Sequence, residues 1–248
     1  MEFIIDATEM NTHNLSGASI YLDACFVLAY LDRDDYRYDR VSDALDVWSD
    51  YENVTLGFSN HTFSEVVNRV FQMLILGSLE VYHQKRNLIN QQRDGYNRLR
   101  EEEKQKLLNL ESARFLHRVA SDLGIARFRG GECLTNVGEL VKRVKENEAH
   151  RHKLNIYYKT AVDIFEKLIH QMREDLGFDI QFLGTDPFAE YQTAKAHMRI
   201  TQLDAVDSLH LAIARLNDYK FLATLDSDFV HNYYSSAGPL STIIVKIA

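Results

Sequence analysis

Four acidic residues stand out by where they fall in the 248-residue chain. Asp23 closes the apolar run Ser19-Ile20-Tyr21-Leu22, and Glu65 lies near the start of a helical pattern. Asp207 falls early in a second such pattern, and Asp226 follows the apolar Phe221-Leu222-Ala223-Thr224. Carboxylates gathered in one pocket repel each other unless a cation lies between them. Hard divalent ions take oxygen ligands, and Mg²⁺ in particular is held by a few carboxylates, waters and substrate phosphate. Brought together, these side chains predict an acidic Mg²⁺ or Mn²⁺ site.

The elements that must position them can be read from periodicity. Ser19 to Asp23 reads as a buried strand whose last residue meets solvent, followed by a helix over Ala24 to Leu31. Asp43 to Tyr51 has helical spacing at Ala44, Leu45, Val47 and Trp48, and Val54 to Phe58 reads as a second strand. Thr62 to Leu76 reads as a helix entered through Thr62 or Ser64, with Phe63, Val66, Val67, Val70, Phe71 and Leu74 on one face. From there to about Leu176 the pattern is almost entirely helical. Glu80 to Arg118 reads as one long charged helix or a helical pair, Gly124 to Gly138 as a break with Gly130-Gly131 its clearest turn, and Val137 to Leu176 as a second helical block.

The C-terminal part changes character. Phe178 to Leu183 alternates with period two and reads as a strand, and Asp186-Pro187 opens a helix. Helices over Phe188 to Met198 and Asp204 to Asn217 follow, with short buried strands at Phe221 to Thr224 and Thr242 to Val245. Strands alternating with helices predict an α/β protein with a parallel sheet covered on both faces. In open sheets of this kind ligands bind outside the carboxyl ends of the strands, where Asp23 and Asp226 fall.

Four segments resemble the PIN-domain ribonucleases, a family that includes the VapC-type toxins. They are Ile20-Tyr21-Leu22-Asp23-Ala24, Phe63-Ser64-Glu65-Val66, Asp207-Ser208-Leu209-His210-Leu211-Ala212-Ile213-Ala214 and Leu222-Ala223-Thr224-Leu225-Asp226-Ser227-Asp228-Phe229, in the family's order. The last two are the most specific. The resemblance implies a three-layer α/β/α fold around a central parallel sheet and a metal-dependent endoribonuclease. On that reading Asp23, Glu65, Asp207 and Asp226 bind Mg²⁺ or Mn²⁺, and the Thr224 hydroxyl orients them or the attacking water. Asp204 and Asp228 are secondary metal candidates. Membership would also imply an RNA substrate, an antitoxin protein as inhibitor if the chain is a toxin, and a homodimer.

The resemblance covers residues 18–82 and 178–248. Asp207 and Asp226 are 19 residues apart, which suits the family, whereas 142 residues separate Glu65 from Asp207. The expected organisation is therefore a discontinuous nuclease domain, 1–82 and 178–248, with a helical insertion over 83–177. The charge is also divided. Residues 83–160 hold 17 Lys+Arg against 10 Asp+Glu, a balance of +7 within a chain whose net charge is −8. Basic residues there, Lys142-Arg143-Val144-Lys145 and Arg151-His152-Lys153 beside Tyr157 and Tyr158, are candidates for tracking RNA phosphates.

Each of these residues also has an ordinary structural use. Asp23 and Asp204 suit helix N-caps, Glu65 and Asp207 suit the first turns of helices, and Asp226 and Asp228 suit a turn. Arg98 to Lys106 suits a solvated helix face of paired charges, Tyr157 and Tyr158 suit packing, and His210 suits packing within its helix. Other chemistries lack their signatures. There is no HExxH, no Cys/His set with zinc-finger spacing and no Gly-rich phosphate loop. A haloacid-dehalogenase-type phosphatase would carry an aspartate two residues after Asp23, where this chain has Cys25. A catalytically silent PIN-like scaffold binding RNA or protein is the remaining alternative. The two cysteines have no framework spacing, and the first residues lack the basic start and apolar run of a secretory signal. A cytoplasmic protein with no membrane segment is expected.

Overall fold

The computed structural model describes residues 4–91, 94–124, 126–129, 132–230 and 242–247. In chain order the elements are β1 (Ile4–Asp6), α1 (Ala7–Met10), β2 (Ser19–Leu22), α2 (Ala24–Leu31), α3 (Tyr38–Ser49), β3 (Thr55–Ser59), α4 (Asn60–Gln91), α5 (Glu101–Leu107) and α6 (Leu110–Asp122). They continue with β4 (Ala126–Arg129), β5 (Glu132–Thr135), α7 (Val137–Glu146), a 3₁₀ turn at Arg151–Leu154, α8 (Asn155–Glu174) and β6 (Asp179–Leu183). The chain ends with α9 (Pro187–Thr201), α10 (Ala205–Leu216), β7 (Phe221–Thr224), a 3₁₀ turn at Asp228–Val230 and β8 (Ile243–Lys246). Two compact units divide at Val66/Val67 and Ile164/Phe165, so the divisions fall within α4 and α8.

The first unit, 1–66 and 165–248, holds a six-stranded sheet in the order β1-β8-β7-β2-β3-β6. Every pairing in it is parallel. Such a sheet needs apolar cover on both faces, and its central strands are buried apart from the partly buried first residues of β2 and β3. Successive side chains alternate between faces. Tyr21, Leu222 and Ile244 share one face with Leu211, Ile213 and Ala214 of α10, all buried. Ile20, Leu22, Phe221 and Ala223 fall on the opposite face, where α2 packs on β7 and on α3. There Phe26 stacks on Trp48 with ring centres 5.7 Å apart. This is the three-layer α/β/α architecture expected from the sequence.

Among its described residues the second unit, 67–164, is built of helices and the antiparallel ribbon β4–β5. The end of α4 packs with α5 and α6 through Val81, Tyr82, Ile89, Leu99, Leu107 and Ala113. The chain turns back on α4 at Gly95, where an added Cβ would strike the Leu88 carbonyl, so no other residue fits. The run Arg98 to Lys106 is a paired helix start. Glu103 is buried, its carboxylate accepts from Lys85 (2.9 Å) and Arg100 (3.2 Å), and these bonds hold its pKa down at about 2.

Several boundaries differ from the sequence reading. Strand β1 and helix α1 were not anticipated; β1 is three residues long and pairs only with β8. Helix α3 starts five residues before Asp43, and α4 runs fifteen residues beyond Leu76 because Ile75, Leu79, Tyr82 and Ile89 continue its buried face. The region read as one long helix or a pair from Glu80 to Arg118 contains the end of α4, α5 and most of α6. The ribbon β4–β5 falls within the break from Gly124 to Gly138 between the two helical blocks, where no strand is read from the sequence, and the Gly130-Gly131 turn falls outside the described residues.

Candidate active site

The topology reverses between β2 and β7. From β2 the chain moves through α2 and α3 to β3 on one side, and after β6 it returns with β7 on the other side. A crevice opens outside the carboxyl ends of the strands at such a switch point. Asp23 and Thr224, at the ends of β2 and β7, meet across it: the Thr224 hydroxyl donates to Asp23 Oδ2 at 2.8 Å. Both are buried.

Asp23 is also the N-cap of α2, its Oδ1 accepting from the Ala24 N–H at 2.7 Å. Capping and a place in the site coincide in one residue. The Cys25 thiol donates to Asp23 Oδ2 at 2.9 Å and lies 3.3 Å from the Thr224 hydroxyl, and the Leu225 N–H points at its sulfur at 3.2 Å. Burial, then the charge of Asp23, pushes the Cys25 thiol well above the ordinary range, so it stays protonated as a donor. Thr224 in turn accepts from the Asp226 N–H at 3.0 Å, which fixes the loop after β7.

Helix α10 brings two further groups. Its N-cap, Asp204, accepts from the Val206 and Asp207 N–H groups at 2.8 and 2.9 Å. Asp207 therefore receives its backbone anchoring through its N–H, and its carboxylate faces the loop after β7. Carboxylate oxygens of Asp207, Asp226 and Asp228 lie within 4.8 Å of one another. The Asp228 N–H donates to Asp226 Oδ1 at 2.9 Å, closing the turn. Burial raises the Asp207 pKa to about 7, helped by the charges of Asp204, Asp226 and Asp23. The repulsion inferred from the sequence is thus present at one named carboxyl group.

His210, one turn after Asp207 on α10, occupies the centre of the other half of the site. Its ring is fully buried, with Nε2 donating to Glu65 Oε1 at 2.8 Å and lying 3.6 Å from Asp23 Oδ1. Nδ1 is 2.6 Å from the Tyr21 hydroxyl, which also lies 2.7 Å from Ser59 Oγ and 3.1 Å from Thr62 Oγ1. Burial pulls the His210 pKa down, but the bond to Glu65 and the charges of Asp23, Glu65 and Asp207 outweigh it and raise the pKa overall. Glu65 lies in the second turn of α4 rather than its first.

The predicted residues thus fall into two groups at one edge of the sheet. Asp207, Asp226 and Asp228 form an oxygen-only cluster, with Asp204 capping the helix beside it. Asp23 and Glu65 are gathered by His210, and Asp23 is further held by Thr224 and Cys25. The sequence admits His210 either as a pocket-lining residue or, the reading it favours, as a packing residue of its helix, and it gives Tyr21, Ser59, Thr62 and Cys25 no place in the site. The one local signal for His210 was its spacing from Asp207. No protein-family model, no curated protein and no solved structure matches this chain, so the chemistry of the site has to be argued from its own residues.

Proposed function

We propose that the protein is a metal-dependent endoribonuclease of PIN-like architecture. The observation that carries this reading is the acid cluster at the β2/β7 switch point, where burial and then the neighbouring carboxylates raise the Asp207 pKa to about 7. Three carboxylates, with no nitrogen or sulfur ligand among them, are the donor set of a hard divalent cation, and the mutual repulsion at Asp207 is what such a cation would relieve. Asp207, Asp226 and Asp228 would hold Mg²⁺ or Mn²⁺, with Asp23 and Glu65 beside them. When bound, such an ion would supply Lewis acidity toward a phosphoryl oxygen and a water of lowered pKa.

The chain's own residues then have distinct tasks. Thr224 and Cys25 donate to Asp23 and fix its Oδ2, leaving the carboxylate no freedom to rotate. His210 donates to Glu65 and so tethers α4 to α10 at the edge of the pocket. The turn from Asp226 to Asp228 presents two carboxylates from one short loop. In-line attack of water on an RNA phosphodiester would leave a 5′-phosphate and a 3′-hydroxyl.

The sequence resemblance extends the proposal to a toxin acting in the cytoplasm, an antitoxin that blocks the acidic pocket, and a homodimer. Among the described residues no helix is long and apolar enough to cross a membrane.

The test is cleavage of end-labelled single-stranded RNA, with a matched DNA, in Mn²⁺ or Mg²⁺ against chelator. Wild type, Asp23→Asn and Asp207→Asn are compared after circular dichroism has shown each to be folded. Metal-dependent RNA cleavage lost in both variants is expected. Cleavage retained in both variants, or no cleavage by a wild type that also fails to bind Mn²⁺, overturns the proposal and leaves the scaffold reading. In cells, induced expression should arrest growth, and Asp207→Asn should abolish the arrest.

A further inference from the structure

The helical unit gathers positive charge in a place the sequence reading did not single out. Arg86 and Asn90 on α4, and Arg114, His117, Arg118 and Ser121 on α6, line one open cavity of about 510 Å³. Arg114 and Arg118 also line a second cavity of about 540 Å³, with Phe115, His150, His152 and Lys153. The two cavities adjoin at Arg114 and Arg118, and together they form a basic groove. Arg86, Arg114 and Arg118 are exposed, and among the described residues none of the three forms an ion pair with a carboxylate.

That arrangement is costly without an anion. Like charges at i, i+4, as in Arg114 and Arg118, repel along a helix. The half-buried His83 and the buried His117, whose Nδ1 and Nε2 are 3.1 Å apart, have pKa values lowered first by burial, then in His117 by His83, and in both by the charge of Arg86. The one acid on the wall of the first cavity is Asp122, and Glu111 on the wall of the second is bonded to Lys153.

The basic residues favoured from the sequence are placed differently. Arg143 is paired with Glu139 and Glu146, and Lys153 is taken up by Glu111. Tyr157 is buried with its hydroxyl 2.8 Å from Ser78 Oγ, and Tyr158 stacks on Phe71 at 4.0 Å with Lys145 over its ring. In the groove, by contrast, Arg86, Arg114 and Arg118 have no carboxylate partner among the described residues, and Arg114 donates to the neutral Asn90 Oδ1 at 3.4 Å. Phe115 is half-buried on its wall, its ring 4.7 Å from that of His150. A basic track interleaved with an aromatic side chain is the combination that holds a single strand, the charges following phosphates and the ring taking a base.

We infer that the groove of Arg86, Arg114 and Arg118, with Phe115 at its side, binds the backbone of single-stranded RNA within the helical unit. This rests on RNA as the ligand of the chain, and not on cleavage. The arginines contact phosphates and supply affinity with little sequence information.

The experiment is fluorescence anisotropy of a labelled single-stranded RNA of about 20 nucleotides, long enough to exceed one module's site, against the full chain in chelator over a salt series. The triple variant Arg86→Ala/Arg114→Ala/Arg118→Ala should bind at least about tenfold more weakly. Its log K should fall with log salt by a slope about 2 shallower, since three contacts to a single strand contribute roughly 0.7 each. Lys142→Ala/Lys145→Ala should bind as the wild type does. Single-stranded DNA of the same sequence should lose affinity in the triple variant by the same factor, because the contact is to phosphate. If the triple variant does not fold, Arg118→Gln, an exposed single change, carries the same readout with a slope about 0.7 shallower.

A wild type that binds no RNA in chelator overturns the inference. So does a triple variant that binds as the wild type does, an equal loss in the lysine variant, or a loss that differs between RNA and DNA. Because binding is read without metal, a chain that binds through the groove but never cuts counts against the nuclease proposal alone. A chain that cuts but ignores the three arginines counts against the groove alone.

Discussion

Replacing Asp207 by Asn in the metal-free protein should raise stability at alkaline pH, and the size of the gain can be worked from the site. Burial and the carboxylates of Asp204, Asp226 and Asp23 lift the folded pKa from 3.8 to about 7. The folded chain therefore keeps a proton that the unfolded chain has released, and stability falls as pH rises from about 4 to about 7. Above that range the full penalty is present. About three units at 1.36 kcal/mol each set a ceiling of roughly 4 kcal/mol. The carboxylate is only half-buried, and solvent screening brings this to about 2 kcal/mol. Its place in the first turn of α10 returns about 0.5 kcal/mol through the helix dipole. Asn avoids the charge and keeps the shape, so the net gain is about 1.5 kcal/mol at about pH 8.5 and close to zero near pH 4. Urea unfolding in chelator at the two pH values measures it. A variant less stable than wild type at both, or a gap that does not widen with pH, refutes the account of the cluster. Added Mn²⁺ should then stabilise the wild type and not the variant, reversing the order.

His210→Phe should destabilise the metal-free protein by about 2 to 4 kcal/mol, because it removes a charge-assisted bond to Glu65 and strips a partner from the buried Tyr21 hydroxyl. Since the folded pKa of His210 lies above its ordinary value, the wild type's advantage is full below about pH 6.5 and shrinks as pH rises through the folded value. Urea melts from about pH 6 to pH 9 that show a constant gap would rule out a protonated His210. Gly57→Ala should cost about 2 to 3 kcal/mol, because the new methyl on β3 would sit 2.6 Å from Cζ of Tyr219. Thermal unfolding reads this, and shrinking the ring in Gly57→Ala/Tyr219→Leu should recover part of it.

The layers of the fold were legible because their signals are local. Phe221 to Thr224 is a strand as read, Ala24 to Leu31 is a helix as read, and Asp186-Pro187 starts α9. Strand β1 gave no such signal, since three residues at a sheet edge draw their stability from β8 rather than from their own pattern. The same holds for β4 and β5, four residues each, which are a ribbon only because they pair with one another. At the site, the acids could be picked out one by one, but not the way they divide. Which of them meet depends on β2 pairing with β7, a contact between residues about 200 positions apart that no local pattern encodes. His210 read as packing because a histidine among Leu209, Leu211 and Ala212 is apolar in setting. Its two ring nitrogens find Tyr21 and Glu65 only once α10 lies across β2.

The division of the chain also sets an order of events during synthesis. Residues 67–164 are contiguous, so the whole of that unit has been made before β6 begins, whereas β2 must wait for β7, which is made about 200 residues later. Until then Asp23 has no Thr224 and the loop bearing Asp226 does not exist. A nascent chain therefore carries the helical unit well before it carries an acid cluster. If the proposed nuclease is toxic to its own cell, the delay leaves the growing polypeptide harmless while it is still being translated.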